Sequence, residues 1–580
     1  MTDGAGNWIT YNGEIYNYEQ LRTQLGTSSF RTGTDTEVIL RLYRKEGVRC
    51  LDRLRGMFAF ALWDEQAQKL VVVRDRFGIK PLYYTIADDI LYCASEAKAL
   101  LPFVPEVRTD LDAFRDYVAF QFPLHGRTLF SGIHELPAAH VLHLRDGAVS
   151  TSRWWDVVYE PDLDHSEAYF VGKIRETVID AVDDHLVADV PVGAYLSGGL
   201  DSSIISTIAA DHADGEMLAF AGRFEGAAYD ESSYARQVAS HAGIALRETT
   251  IEPHQFAEEI GRILYHLDYP VAGPGSFPQF IVSRMAAAER KVVLGGQGGD
   301  EIFGGYARYL LAYFEQCIKA AIEGTSNRAP FIVTYESIIP NLETLREYKS
   351  LIQTFWRDGV FDDLDRRYFR LVNRAHGLAG VFQPELLEQE FAEAAFHKIF
   401  GASNVGRDSY FDRMTHFDFK TLLPALLQVE DRVSMAHGLE SRTPFVDHHV
   451  VELAATLPAL VKFKNGELKR SLKLALGDVI PPSVAERKDK MGFPVPLAEW
   501  AKGPLRSYFL DLLESSRGRD YMADGFSPEG ALADESGRGL WGLVSLEVWH
   551  GQFHDRAGYW RNMRGQLLAA DDYAEEAVGA

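Results

Sequence analysis

The sequence predicts an α/β protein in two parts: a β-rich N-terminal portion, then a doubly wound parallel sheet that passes into a helical C-terminal region. Three observations carry this. At 580 residues the chain exceeds what one ordinary core organises, so two or more domains are expected. Short apolar runs separated by tight-turn residues fill positions 8 to about 150. Apolar strands and helical patterns then alternate from about 190 to 294, the mark of βαβ units.

In chain order, Trp8-Ile9-Thr10-Tyr11 reads as a strand and Asn12-Gly13 as a turn. Gly56 to Asp64 and Leu70 to Arg74 read as buried strands. Asp75-Arg76-Phe77-Gly78 supplies a turn before a further strand at Pro81 to Tyr84. Near residue 165 the period changes: Ile174, Val178, Val182 and Leu186 recur every four residues, which is helical spacing. Strands follow at Val190–Leu196, Leu218–Phe224, Leu246–Ile251 and Lys291–Leu294. Helices are expected from Ser202, from Ser232 and through Ser276 to Arg290. Helical patterns dominate from about 305 to 480. Ser515 to Gly539 reads as loop, and the acidic tail after Asp571 as disordered.

Composition excludes several classes. A net charge of −24 with no cationic run argues against a nucleic-acid partner. No apolar run approaches the ~18 residues of a membrane span, and the N-terminus has no signal-peptide pattern. Cys50, Cys93 and Cys317 are too few for a disulfide framework and lack metal-ligand spacing. A cytoplasmic enzyme is expected.

The most informative stretch is Leu196-Ser197-Gly198-Gly199-Leu200-Asp201-Ser202-Ser203. A strand runs into two glycines and a helix opens at the serines, so backbone N–H groups, hydroxyls and a helix N-terminus converge on one anion. The loop lacks both the Gly-Lys-Ser/Thr of a Walker loop and the Gly-x-Gly-x-x-Gly dinucleotide spacing. A second glycine-rich turn, Gly295-Gly296-Gln297-Gly298-Gly299-Asp300-Glu301, follows the strand at Lys291. Its adjacent carboxylates, Asp300 and Glu301, suit a Mg²⁺ that bridges phosphate oxygens.

The SGGLDSS loop resembles the pyrophosphate loop of N-type ATP pyrophosphatases. With both loops, the chain resembles the glutamine-dependent asparagine synthetases of the bacterial B type over nearly its whole length. Further matching segments are Ser434 to Phe445, Lys469 to Lys473 and Lys490 to Pro494. In the N-terminal part, Asn12 to Asn17, Gly33 to Glu37, Gly56 to Phe60, Arg74 to Gly78 and Ser95-Glu96 match that family's glutaminase domain. The resemblance implies a partial Ntn-type glutaminase of stacked antiparallel sheets (α+β) at 1–155. An ATP pyrophosphatase domain at 165–565 and an acidic tail at 566–580 would follow.

The implied reaction is ATP-dependent amidation of aspartate through β-aspartyl-AMP, with ATP and Mg²⁺ as cofactors. Nitrogen would come from glutamine in a full-length protein. Leu196, Ser197 to Ser203, Gly222, Gly295 and Gly296 would surround the nucleotide. Asp300 and Glu301 would serve the metal, and Arg432, Arg442 and Lys469 would face the acyl-adenylate and departing phosphate. Many members carry Glu where this chain has Gln297, a carboxylate associated with forming the adenylate. Gln297 cannot act as a base but still hydrogen-bonds. A homodimer is implied by analogy alone. Two alternatives stand beside this reading: the same chemistry on another carboxylate (a peptide, sugar or secondary-metabolite precursor), and a catalytically inactive homologue.

Glutaminases of the family use a cysteine at residue 1, whereas this chain opens Met1-Thr2. Asn12, Gly13, Glu14 and Asp35 remain as the glutamine-binding set, and no nucleophile accompanies them. Met1 to Asn7 reads as an interior turn between two strands, so a start codon placed too far downstream is expected. As written, the chain is expected to use ammonia rather than glutamine and to uncover sheet edges in its first 150 residues.

Overall fold

The structure is a computed structural model. It describes all residues except 5, 28–29, 214, 227–228, 312–313, 316–321, 323–348, 358–362, 407–408, 465–466, 488–494, 534–536 and 567–580. Cys317, the Lys490 to Pro494 segment and the tail after Asp571 therefore lie outside the described residues.

Strands β1 (Trp8–Ile15), β2 (Gly56–Asp64), β3 (Lys69–Arg74), β7 (His140–Arg145) and β8 (Ala148–Arg153) form an antiparallel sheet in the order β1-β2-β3-β7-β8. A second antiparallel sheet, β5-β4-β6, is built from β4 (Tyr83–Ala87), β5 (Ile90–Ala94) and β6 (His134–Glu135). Ala59, Val72 and Leu142 of the first sheet pack against Leu82 and Leu136 beside the second. The opposite face is covered by helices α1 (Tyr18–Leu25) and α2 (Asp35–Glu46), which bury Leu21, Val38, Ile39 and Leu42. Helix α3 (Leu111–Phe120) joins the larger C-terminal core through Phe114 and Tyr117.

Two sequence expectations change here. Asn12 and Gly13 do not form a turn: β1 runs on to Ile15, with Asn12 opposite Ala59 and Gly13 opposite Phe58. A partner strand in register overrides the turn preference of the Asn-Gly pair. The strand expected at Pro81–Tyr84 begins at Tyr83 and extends to Ala87, because Pro81 has no N–H for the ladder. The opening residues do fold back as a turn, with Met1 and Ile9 exchanging backbone hydrogen bonds and Thr2 bridged to Trp8. Strand β1 lies at a sheet edge, and Trp8 is 60 % exposed.

The second part opens with α4 (Glu167–Leu186), capped by Ser166, whose Ile174, Val178 and Val182 are buried as the four-residue spacing requires. Strands β9 (Val192–Tyr195), β10 (Leu218–Phe224), β11 (Ala245–Ile251), β12 (Val292–Leu294) and β13 (Glu440–Arg442) form an all-parallel sheet in the order β11-β10-β9-β12-β13. Helices α5 (Leu200–His212) and α6 (Ser232–Ala242) pack on one face through Ile204, Ile208, Ala235 and Val238. Helix α8 (Ser276–Ala287), reached through α7 (Pro253–Leu267), packs on the other through Val282 and Ala286. The chain enters at the central strand, steps outward to β11, then reverses to β12 and β13. That reversal places a topological switch point between β9 and β12, where parallel α/β sheets bind ligands beyond the strand ends.

From Ser515 to Gly539 the expected loop is broken by a short helix at Pro528–Leu532, with Ser527 capping Gly530 N–H; flanking helices reach Ser516 and start at Arg538. Ion pairs span the junction of the two parts, Lys80–Asp431 at 2.8 Å and Lys98–Asp268 at 3.0 Å both buried, and Arg55–Asp447 at 2.6 Å half-buried.

Candidate active site

Both glycine-rich loops leave the switch point, one from β9 and one from β12. In the first, Ser197 N–H and Oγ bond to Ser202 Oγ at 3.2 and 3.0 Å, and Gly199 N–H donates to Ser197 Oγ at 3.3 Å. Gly198 has φ +77°, and a Cβ there would stand 2.7 Å from Ala235 N, so no other residue fits without moving α6. Gly199 is the N-cap of α5, which leaves the first N–H groups of a thirteen-residue helix open toward the crevice.

The second loop lies directly on the first. A Cβ at Gly296 would be 2.7 Å from Ser202 N, so the two backbones touch only because position 296 has no side chain. A short helix α9 (Gly299–Phe303) then aims Asp300 back at Asp201. Between them sits Lys469, whose Nζ lies 2.5 Å from Asp201 Oδ2 and 2.5 Å from Asp300 Oδ1. Lys469 is buried and holds a left-handed backbone (φ +53°) just before the helix Arg470–Leu476. Two carboxylates gathered around one cation fit a divalent metal: the ammonium already occupies the kind of position that such an ion would take.

Other expected site residues lie elsewhere. Glu301 does not join Asp300. It is 1 % exposed and accepts from Tyr306 OH, and burial followed by the Asp300 charge raises its carboxyl to about 7. Adjacent residues at a helix start point about 100° apart, so only one of the pair faces the crevice. Asp201, expected in the phosphate loop, takes the place beside Asp300 that Glu301 was expected to hold.

Arg442 belongs to β13, and its guanidinium donates to the carbonyls of His185 and Val187 at the C-terminus of α4 and to Glu440. It caps a helix end and lies over Tyr16, while its backbone carbonyl accepts from Gly295 N–H. Arg432 points to the junction with the N-terminal part: Nε donates to His266 O at 2.8 Å, and the guanidinium lies 3.1 Å from Glu96 and 3.5 Å from Asp268. Neither guanidinium is brought to the Asp201–Lys469–Asp300 cluster. Leu196 is buried beneath the loop, and Gly222 lies toward the C-terminal end of β10.

Glu430 escaped the sequence reading. This buried carboxylate of the helix Leu422–Met435 accepts from Ser441 Oγ at 2.5 Å and from Gln279, directly under Gly295. Burial pushes its carboxyl up, while Ser441, Gln279 and the half-buried Gln297 amide act in the opposite sense. Its one sequence signal is an acid on the apolar face that also carries Leu423 and Leu427.

In the N-terminal part, Asp35 accepts from Tyr11 OH at 2.6 Å and from Ile15 N–H, and Asn12 donates to Ser95 Oγ at 3.3 Å. Glu14 is raised to about 7 by burial and by Glu440 across the junction. Cys50 and Cys93 are ordinary buried or half-buried thiols, pushed up by burial to about 12 and about 11. Among the described residues no group of three or more His, Cys, Asp or Glu has metal-binding geometry, and no helix is long and apolar enough to cross a membrane.

Comparison with known proteins gives two family matches: Asparagine synthase over residues 173–551, and Glutamine amidotransferase domain over residues 1–155. "Asparagine synthetase [glutamine-hydrolyzing] 1" of Bacillus subtilis (strain 168) is 31% identical over 564 residues, covering 94% of this chain and 85% of that protein. A "Putative asparagine synthetase [glutamine-hydrolyzing]" of Mycobacterium bovis is also 31% identical, covering 94% of this chain and 84% of its own. "Amidase chyE" of Penicillium rubens is 27% identical, over 85% of this chain and 78% of the relative.

Proposed function

Because the chain belongs to the asparagine synthase family, we propose that it makes asparagine from aspartate, consuming ATP and releasing AMP and pyrophosphate. One observation carries the assignment to this site: two glycine-rich loops touch backbone to backbone at the switch point, with Asp201, Lys469 and Asp300 converging beside them. The β- and γ-phosphates lie against the N–H groups of Gly198 to Ser203 and the mouth of α5. Asp201 and Asp300 would hold Mg²⁺, which would supply positive charge to the leaving pyrophosphate. Lys469 moves from the carboxylates to the phosphoryl oxygens as the nucleotide arrives.

The β-carboxylate of aspartate attacks the α-phosphorus, the bond to the β-phosphate oxygen breaks, and pyrophosphate leaves. Ammonia then attacks the acyl carbon of the mixed anhydride and AMP departs with the anhydride oxygen. Gln297 and Glu430, at the base of the second loop, provide an acceptor and a buried carboxylate on the acyl side. The reading includes the division at 1–155, 165–565 and 566–580, with nitrogen from glutamine in a full-length protein and from ammonia in the chain as written, and a cytoplasmic homodimer without nucleic-acid partners.

The test is pyrophosphate release with ATP, aspartate and ammonia. Wild-type protein should form AMP, pyrophosphate and asparagine in equal amounts. Asp201→Asn and Asp300→Asn should each lower the rate about 100-fold or more. Unchanged rates in both variants, or turnover with another carboxylate but not aspartate, would overturn the reading.

A further inference from the structure

Several elements converge on the carboxylate of Glu430, which is 4 % exposed. It stands on the helix Leu422–Met435 and accepts from Ser441 Oγ of β13 at 2.5 Å and from the Gln279 amide of α8. A Cβ at Gly295 would stand 2.9 Å from Glu430 Oε1, so the loop after β12 rests on this carboxylate only because position 295 carries no side chain. The Gln297 amide, from the same loop, is a further donor to it. Donors converging on both oxygens fit the ionised form, and burial leaves its charge poorly screened.

Gln297 links this buried charge to the crevice. Gly296, one residue earlier, lies against Ser202 N of the phosphate loop, and Gln297 is half-buried beside that contact. A primary amide has a donor end and an acceptor end. With its N–H₂ end on Glu430, the carbonyl oxygen of Gln297 is turned to the open side of the loop. Two steps of the reaction respond oppositely to a negative charge placed there. Adenylation brings an aspartate carboxylate against an anionic phosphate, and another anion nearby opposes it. Amide formation makes a neutral ammonia nitrogen positive as the C–N bond forms, and the same anion favours it. A fixed charge contributes most to the step in which the opposite charge develops.

We propose that Glu430 is a positioning residue of the amide-forming step: it fixes the Gln297 amide so that the carbonyl oxygen accepts an N–H of the attacking ammonia. This rests on the asparagine-forming reading of the site. The nitrogen lone pair forms the C–N bond while the acyl C=O electron pair moves to oxygen. As that pair returns, the C–O bond to AMP breaks, and the surplus N–H proton passes to the departing phosphate. Glu430 acts through Gln297 and carries no proton itself.

The two half-reactions can be measured apart in the 580-residue protein. Aspartate-dependent exchange of labelled pyrophosphate into ATP, without ammonia, reports adenylation; asparagine formation at saturating ammonia reports the whole sequence. In Glu430→Gln, which removes the charge and keeps the shape, the ratio of asparagine formation to exchange should fall about 30-fold or more. Gln297→Leu, which alters the loop and leaves the buried carboxylate in place, should lower the same ratio. Combining Glu430→Gln with Gln297→Glu moves the charge to the crevice and should recover most of the loss, a rescue that a purely structural brace would not give. An unchanged ratio in either single variant, including equal loss of both half-reactions, overturns the proposal alone, as does failure of the combined variant to recover. Absence of aspartate-dependent exchange in wild-type protein overturns the asparagine-forming reading, and this proposal with it.

Discussion

Lys469 brings one ammonium within 2.5 Å of two carboxylates, so at the residue scale it acts as a tethered counter-ion. Replacing it with methionine leaves Asp201 and Asp300 facing each other without that charge between them, and their mutual repulsion then favours any mobile cation. In nucleotide-free protein, Mn²⁺ binding followed by electron paramagnetic resonance should tighten at least ~10-fold in Lys469→Met. The same variant should lose pyrophosphate release by about 100-fold or more, because the phosphoryl oxygens lose their cation. Unchanged or weaker metal binding would show that the lysine does not compete for this position. Glu301 makes a separate prediction. Its folded carboxyl titrates near 7 against an ordinary 4.5, raised by burial and then by Asp300. The native state therefore keeps a proton that the unfolded chain releases at lower pH. The associated stability is fully present below about 4.5 and declines as pH rises through about 7, by an amount on the order of 3 kcal/mol. Urea denaturation of Glu301→Gln, which has no proton to lose, should show a flatter decline across that window than wild-type protein. Parallel slopes would mean that the carboxyl is ionised in the folded state.

At the scale of elements, the long periodic pieces were legible and the short ones were not. Leu218–Phe224 reads as a strand and Ser232 as a helix start, and both stand where expected. Helix α4 announces itself by four apolar residues at helical spacing, of which Ile174, Val178 and Val182 are buried and Leu186 is half-buried. Strand β13 is different: three residues, Glu440–Arg442, carry no alternation, and they are extended only because β12 lies beside them in register. Asn12-Gly13 misleads for the same reason in reverse, a local turn preference overridden by eight paired residues. Within the site, loop positions could be read because strand–glycine–helix chemistry is local. Side-chain direction could not. Nothing in the order Asp300-Glu301 says which carboxylate faces the crevice, and nothing in the matched segment around Arg442 says that its guanidinium turns back to cap α4. Glu430 and Lys469 reach the loops from more than a hundred residues away, through contacts that only the folded sheet creates.

At the scale of the whole molecule, the two parts share apolar cores that run across their junction, and charge buried there adds to them. Lys80 follows the turn after β3, is 3 % exposed, and reaches Asp431 on the helix that also carries Glu430 and Arg432. Burial alone would lower the Lys80 ammonium, yet it is held above its ordinary value, with Asp431 the largest favourable contribution. The ammonium is thus charged because its partner is there. Removing one member strands the other in a low-dielectric setting, which costs about 3–5 kcal/mol, whereas replacing both by apolar groups of similar volume is often neutral. Asp431→Leu should therefore lower stability by roughly that amount, and Lys80→Met combined with Asp431→Leu should recover most of it. The location of the loss matters as much as its size. Because the pair spans the junction, the single variant should melt in two calorimetric steps, the N-terminal sheets separating from the nucleotide-binding part first, while the double variant melts in one. A single step in Asp431→Leu at the wild-type temperature would mean that the junction is held by its apolar contacts alone, and that Lys80 finds another counter-ion when Asp431 is gone.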